Sequence, residues 1–213
     1  MNDPRLTPFN GHVAHMSLKG QIDAAHFSAG EQMQVAVTKT ALLRTPDGEM
    51  DRELLLGRKF LVLDTESASP WVYGIADLDG YCGWVHGQNL ATAQAATHKV
   101  AVRESYFKAT PDLKKTELTY PAFLGSEVVV TDAKGEWSQF ALEQPITGET
   151  QSFYLPTCHL RPVSKRAQDP VEVARAFCEL AWLARLSWLF AAPILRMVML
   201  FLSIACESIR SLL

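Results

Sequence analysis

The sequence is poor in cysteine, and its four cysteines stand far apart at positions 82, 158, 178 and 206 with no Cys-x-x-Cys pair. That spacing leaves no metal clamp and no dense disulfide framework, and it fits a reducing compartment. A basic cluster is also missing. The 20 Lys and Arg are outnumbered by 23 Asp and Glu, for a formal net charge of −3. This argues against a nucleic-acid partner, whose phosphates demand a cationic stripe. The N-terminus, with Asp3, Arg5, His12, His15 and Lys19, holds no apolar run of signal-peptide length, so a cytoplasmic chain is expected. The most uneven absence lies at the other end. The 36 residues from Cys178 to Leu213 contain no Gly, Asp, Asn, Thr, Lys, Gln, His or Tyr, while nine of them are Leu.

What is present suits one or two globular domains: 213 residues, 48% hydrophobic and 20% charged. The strongest internal signal is a repeat. Val35-Ala36-Val37 recurs as Val100-Ala101-Val102, and Thr45-Pro46-Asp47 as Thr110-Pro111-Asp112, both at an offset of 65. With small insertions, Gly57 before Phe60-Leu61-Val62-Leu63 answers Gly125 before Val128-Val129-Val130, Trp71 answers Trp137, Trp84-Val85 answers Tyr154-Leu155, and Leu90 answers Leu160. Each unit holds short β-type runs separated by Pro, Gly and Asp turn signals. Strands that short close most economically into small barrels, which leave no unpaired edges.

The order of these motifs resembles the bacterial SH3-like domain. Its ending, Gly-Tyr-x-Gly-Trp-Val, stands in full as Gly80-Tyr81-Cys82-Gly83-Trp84-Val85. In the second unit it is reduced to Ser152-Phe153-Tyr154-Leu155 behind a polar insertion from Glu143 to Thr150. Further on, Asp169-Pro170 caps a short helix whose apolar face is Val171, Ala174 and Phe177. Two SH3-like units followed by Asp-Pro-Val-x-Val-Ala resemble the layout of the NlpC-type cell-wall cysteine endopeptidases, over roughly residues 3 to 177. In that family the phenylalanine leads to Asp-Cys-Ser-Gly, which carries the nucleophile. Here it leads to Cys178-Glu179-Leu180.

The resemblance implies mainly β structure in two tandem SH3-like small barrels, while the stripe of Leu18, Ile22, Ala25 and Phe27, broken by Gly20, reads as an N-terminal helical arm and the apolar run after Phe177 as a C-terminal hydrophobic helical tail. The expected divisions are an arm over 1–32, barrels over 33–95 and 96–165, an opening helix of a lost catalytic domain over 166–177, and the tail over 178–213. The parent activity would cut murein stem peptides of L-Ala-γ-D-Glu-diamino-acid type. This chain is expected to lack that activity, with no catalytic residue, metal or cofactor. Neither Cys178 nor Cys206 is followed by Ser-Gly or by any His, so both read as structural thiols.

By the same resemblance, Tyr81 stands where a tyrosine helps hold the substrate's free amine, and Glu49 or Asp47, in the loop Thr45-Pro46-Asp47-Gly48-Glu49, would supply the acid. An ammonium held away from water needs a carboxylate and oriented acceptors. The plainer readings are a half-buried barrel tyrosine and solvated turn carboxylates. Trp71, Trp84 and Trp137 read as core or rim, and His12, His15 and His26 as surface histidines. Murein stem peptides are the expected partners, bound weakly.

For the tail we favour the product of a shifted reading frame. The alternative is an anchor: Leu186 to Cys206 has 21 residues with one charge, Arg196, so it would span a membrane and make the chain a tethered binding adaptor. An all-apolar helix also invites self-association.

Overall fold

The computed structural model describes residues 3–65, 69–143 and 148–165, together with positions 171 and 174. The chain divides into compact units of residues 1–166 and 167–213. In the second of these, Val171 and Ala174 are helical. The tail, including Leu186 to Cys206, lies outside the described residues. Among the described residues no helix is long and apolar enough to cross a membrane.

Residues 3–165 are mainly β. The N-terminal stretch, expected to be a helical arm, holds only the single 3-10 turns Pro4–Leu6 and Met16–Leu18 and a parallel strand pair, β1 (Val13–His15) with β2 (His26–Ser28). The stripe of Leu18, Ile22, Ala25 and Phe27 is not helical. Leu18 ends a 3-10 turn, Gly20 follows at φ 80°, Ile22 bridges back to Lys19, and Phe27 pairs with Ala14. A glycine in the left-handed region stops so short a segment before the costly first turns of a helix are repaid.

The next strands are β3 (Glu31–Val35), β4 (Lys39–Leu43), β5 (Met50–Leu55), β6 (Lys59–Thr65), β7 (Trp71–Ala76), β8 (Cys82–His86) and β9 (Leu90–Thr92). They form one sheet in the order β5-β4-β8-β7-β6-β3-β9. The second half repeats them as β10 (His98–Val100), β11 (Glu104–Lys108), β12 (Thr119–Phe123), β13 (Glu127–Val128), β14 (Val130–Lys134), β15 (Trp137–Glu143), β16 (Thr150–Pro156) and β17 (Leu160–Pro162). Their order, β12-β11-β16-β15-β14 and β13-β10-β17, is the same, with the strand that answers β6 broken between β13 and β14.

The hydrogen bonds repeat as well. Val35 donates to Arg58 O at 2.9 Å and accepts from Gly57 N at 2.9 Å, as Val100 donates to Ser126 O at 2.8 Å and accepts from Gly125 N at 3.0 Å. Ala36 and Ala101 donate to Asn89 O and His159 O at 2.8 and 2.9 Å.

Each half has its own core. Val35, Leu42, Phe60 and Val85 centre the first, and Val100, Phe107, Phe140 and Leu155 the second. Strand alternation turns a second apolar set outward from the first sheet: Leu43, Leu63, Tyr73, Cys82 and Trp84, with Val13 of the N-terminal stretch packed into it. The halves are joined by Leu56, from the β5–β6 turn, which is 1% exposed within the second core and whose carbonyl accepts from Glu127 N at 2.8 Å. Arg58 and Glu127 pair beside it at 2.9 Å.

Candidate functional site

The outward face of the first sheet forms the floor of an open cleft of about 690 Å³, and the N-terminal stretch and the β4–β5 loop form its walls. Cys82, Trp84 and Tyr73 line the floor, and Arg5, Arg44 and Asp51 supply its charge. Asp3 caps the Pro4–Leu6 turn by accepting from Arg5 N at 3.0 Å, and Pro4 starts the turn where a missing N–H costs nothing. The same carboxylate clasps the Arg5 guanidinium, 2.8 Å from Nη2 and 3.1 Å from Nε. These hydrogen bonds hold Asp3 below the usual carboxylate range and raise Arg5. Asn10 anchors the stretch to β6, donating to Asp64 Oδ2 at 2.7 Å, and Tyr73 Oη donates to Thr7 O at 3.4 Å.

On the opposite wall Arg44 donates from Nε to Asp51 at 2.6 Å, and that bond raises the Arg44 pKa. The Asp51 side chain is 7% exposed. The cleft thus presents two guanidiniums, each already holding a carboxylate, above an apolar floor.

Glu49 is 84% exposed and meets Arg44 Nη1 at 3.5 Å. Asp47 is exposed, with φ 56°, in a turn closed by Gly48 N to Thr45 O at 2.9 Å with Pro46 ahead of it. Its backbone does the work expected at the third position of a type II turn. Tyr81 is half-buried against the first core. Its ring lies 4.1 Å from the Arg52 guanidinium carbon and 5.6 Å from that of Arg5, and Asp79 accepts from its amide at 3.2 Å and pairs with Arg52. No hydrogen bond or ion pair joins Tyr81 to Glu49 or Asp47; Arg5, over the Tyr81 ring, and Arg44, beside Glu49, line the cleft instead. Sequence reasoning overlooked Arg5, Arg44 and Asp51. The available signals were the cap pattern Asp3-Pro4-Arg5 and the opposite charges of Arg44 and Asp51 across one hairpin.

Trp84 is buried, whereas Trp71 and Trp137 are half-buried. His12 and His26 meet edge to face at 5.1 Å, and His15 Nδ1 contacts Ser17 Oγ at 2.9 Å. Ser105 Oγ lies 2.8 Å from His159 Nδ1, a pairing that invites a catalytic reading. The first half has the same link between the same elements, Asn89 Nδ2 to Thr40 Oγ1 at 2.8 Å, so it is a repeated structural clamp.

Cys82 donates to Gly80 O at 3.4 Å, and burial pushes its thiol up to about 11. Burial likewise raises its neighbour Tyr73. At pH 8 roughly a thousandth of Cys82 is thiolate, whereas Cys158 is exposed. With Cys178 and Cys206 replaced by serine, an aromatic disulfide reagent at pH 8 will label Cys158 promptly and Cys82 only on unfolding. Equal labelling rates in the native chain would contradict a closed floor.

Comparison with known proteins fits this geometry. Residues 42–90 match the family described as the bacterial dipeptidyl-peptidase Sh3 domain. An NlpC/P60 family protein from Bacillus cereus ATCC 10987 has a similar structure, with TM-score 0.53 and 12% identity over 68% of this chain and 63% of that one. NlpC2 from Trichomonas vaginalis aligns with TM-score 0.25 and 13% identity over 66% of this chain and 51% of that one. The chain therefore spans less than two thirds of either structure. No curated protein sequence matches it. Over residues 42–90 the chain is thus similar to the SH3 domain of bacterial dipeptidyl-peptidases, in a fold shared with an NlpC/P60 family protein.

Proposed function

We propose that residues 33–95 and 96–165 are two tandem SH3-like barrels that position murein stem peptides for an NlpC-type cysteine endopeptidase acting after γ-D-Glu, and that this chain is not itself the peptidase. The observation that carries the reading is the placement of Gly80-Tyr81-Cys82-Gly83-Trp84-Val85. Alternate residues of this strand, Cys82 and Trp84, floor the cleft, while Tyr81 sits at the barrel rim under Arg5. The family match over 42–90 covers the same strand. Against catalysis by these barrels stand the buried, protonated thiol of Cys82 and the engagement of His159 by Ser105.

In this reading Arg5 and Arg44 receive the stem's carboxylates, and Tyr81 with Glu49 receives its free amine. Each contact is open to solvent and contributes ~1 kcal/mol or less, so the stem peptide binds with a dissociation constant of millimolar order. Titrating the full chain with L-Ala-γ-D-Glu-diaminopimelate by NMR tests this. Shifts should gather at Tyr81 and in the 46–49 loop, with no thiol-dependent release of L-Ala-γ-D-Glu. Micromolar binding that survives Tyr81→Phe with Glu49→Gln would place recognition on another face, and release of the dipeptide would make the chain an enzyme.

A further inference from the structure

We propose that the second barrel carries a site of its own for an alkylammonium group on a flexible aliphatic stem, the side chain of a lysine in an extended basic peptide. It rests on the second half alone and is independent of the first-half cleft.

The site is a cleft of about 570 Å³ lined by Tyr106, Leu113, Glu136, Trp137, Pro156 and His159. The Tyr106 and Trp137 rings meet at 72° with centroids 6.2 Å apart, so their faces make an open corner. Trp137 also lines a second hollow of about 360 Å³, with Pro111 and Tyr154. Aromatic faces attract cations, most strongly where indole contributes. At this corner stands Glu136, exposed, its carboxylate engaged in no hydrogen bond or ion pair among the described residues. Asp132, which lines the second hollow, accepts from Ala133 N at 2.8 Å, while Glu117 accepts from Thr110 and Asp112 from Lys114 N. Lys108, on the same face of β11 as Tyr106, is buried and turned to the carbonyls of Asp112 and Lys115.

The first half shows what a closed version looks like. Strand register makes Trp71 and His86 the counterparts of Trp137 and Pro156, and the Thr40 and Ser105 clamps make Ala41 the counterpart of Tyr106. There the His86 ring packs edge-on to Trp71 at 5.2 Å, and Ala41 offers no second ring. Proline in place of histidine and tyrosine in place of alanine open the corner in the second copy and furnish its other wall. Leu113, 74% exposed, and Pro156 give the methylene stem apolar surface, so the ligand's charge and its stem are both matched.

The test follows the Trp137 indole N–H of the full chain by NMR, assigned with Trp137→Phe. Nα-acetyl-lysine N-methylamide should shift it along a saturable curve of millimolar order, and the isosteric norleucine compound should bind at least about threefold more weakly, the worth of one exposed charge contact. Glu136→Gln should cost the lysine compound a similar factor, and Glu49→Gln nothing. meso-Diaminopimelate, whose terminal ammonium stands beside a carboxylate, should bind more weakly because Glu136 repels it; binding equal to lysine's would keep the ammonium site and assign it to wall peptides. Equal binding of norleucine, or a Glu136→Gln curve lying on the wild-type one, would overturn the ammonium assignment, and an unmoved Trp137 at about 50 mM ligand would remove the site.

Discussion

Replacing Gly57 with alanine will cost at least about 3 kcal/mol, whereas the same change at Gly125 will cost about 1. Both glycines hold the same left-handed bend before an apolar strand, with φ 77° and 89°, and both donate to the carbonyl of a strand valine. The backbone strain of an added methyl is therefore alike at the two sites. The surroundings are not. A Cβ at Gly57 would lie 2.7 Å from the carbonyl carbon of Glu127 and closer still to its oxygen, and Glu127 is held in place because its own N–H, in the preceding peptide, donates to Leu56 O at 2.8 Å. At Gly125 the first obstacle is Arg58 Nη2 at 2.9 Å, the end of a side chain that can swing aside. Gly57→Ala therefore wedges the halves apart and draws Leu56 from the second core. Urea unfolding of both variants, with amide exchange at Glu127 and Val128, measures the difference. A Gly57→Ala chain as stable as Gly125→Ala would mean that the junction yields and that the halves are not locked at this turn.

The duplication behind that comparison was legible in the sequence because the bends that fix it are glycines and the strands that follow are valine-rich. Val35 and Val100, or Trp71 and Trp137, stand at equivalent registers, and the identical strand order in the two halves follows from them. The break between β13 and β14 was not legible, since Val128-Val129-Val130 reads as one continuous apolar run. The N-terminal stretch misled for a different reason. Leu18, Ile22, Ala25 and Phe27 read as a helical stripe, but Gly20 at φ 80° interrupts it near its start, and Phe27 pairs with Ala14 in a strand instead.

The cleft was half legible. Its floor follows from Cys82-Gly83-Trp84, where strand alternation puts Cys82 and Trp84 on one face. Its charges come from Arg5, Arg44 and Asp51, which are far apart in sequence and ordinary in isolation. Only the fold of residues 3–10 across the sheet brings Arg5 over Tyr81 and into the space that Arg44 faces. Single-residue carry-over finds Tyr81 and Glu49 and passes over Arg5, beside the first, and Arg44, beside the second.

Lys108 shows how one copy replaced the other's packing. Its counterpart, Leu43, pairs with Trp84 in the outward cluster that Val13 covers, whereas Lys108 pairs with Tyr154 on a face that the loop from 109 to 118 closes. It is 3% exposed, and its ammonium donates to Asp112 O at 2.7 Å and Lys115 O at 2.8 Å, with Glu117 at 3.7 Å. Lys108→Ala will cost about 2–4 kcal/mol, since it removes two charge-assisted hydrogen bonds and a buried stem. Lys108→Met keeps the stem, so about half of that loss should return, while the 110–117 amides still exchange faster. Acid gives an independent handle. Burial alone would raise Glu117, but the hydrogen bonds from Thr110 and the charges of Lys108 and Lys115 outweigh it, and its pKa falls below the ordinary 4.5. A carboxyl lowered on folding contributes stability that is fully present above its unfolded value and disappears as the pH falls through the folded one. Loop protection should therefore fade below about pH 4.5, and Glu117→Gln should make it independent of pH in that range. A Lys108→Met chain with wild-type loop exchange would show that the ammonium leaves the loop unheld and that the stem alone accounts for the burial.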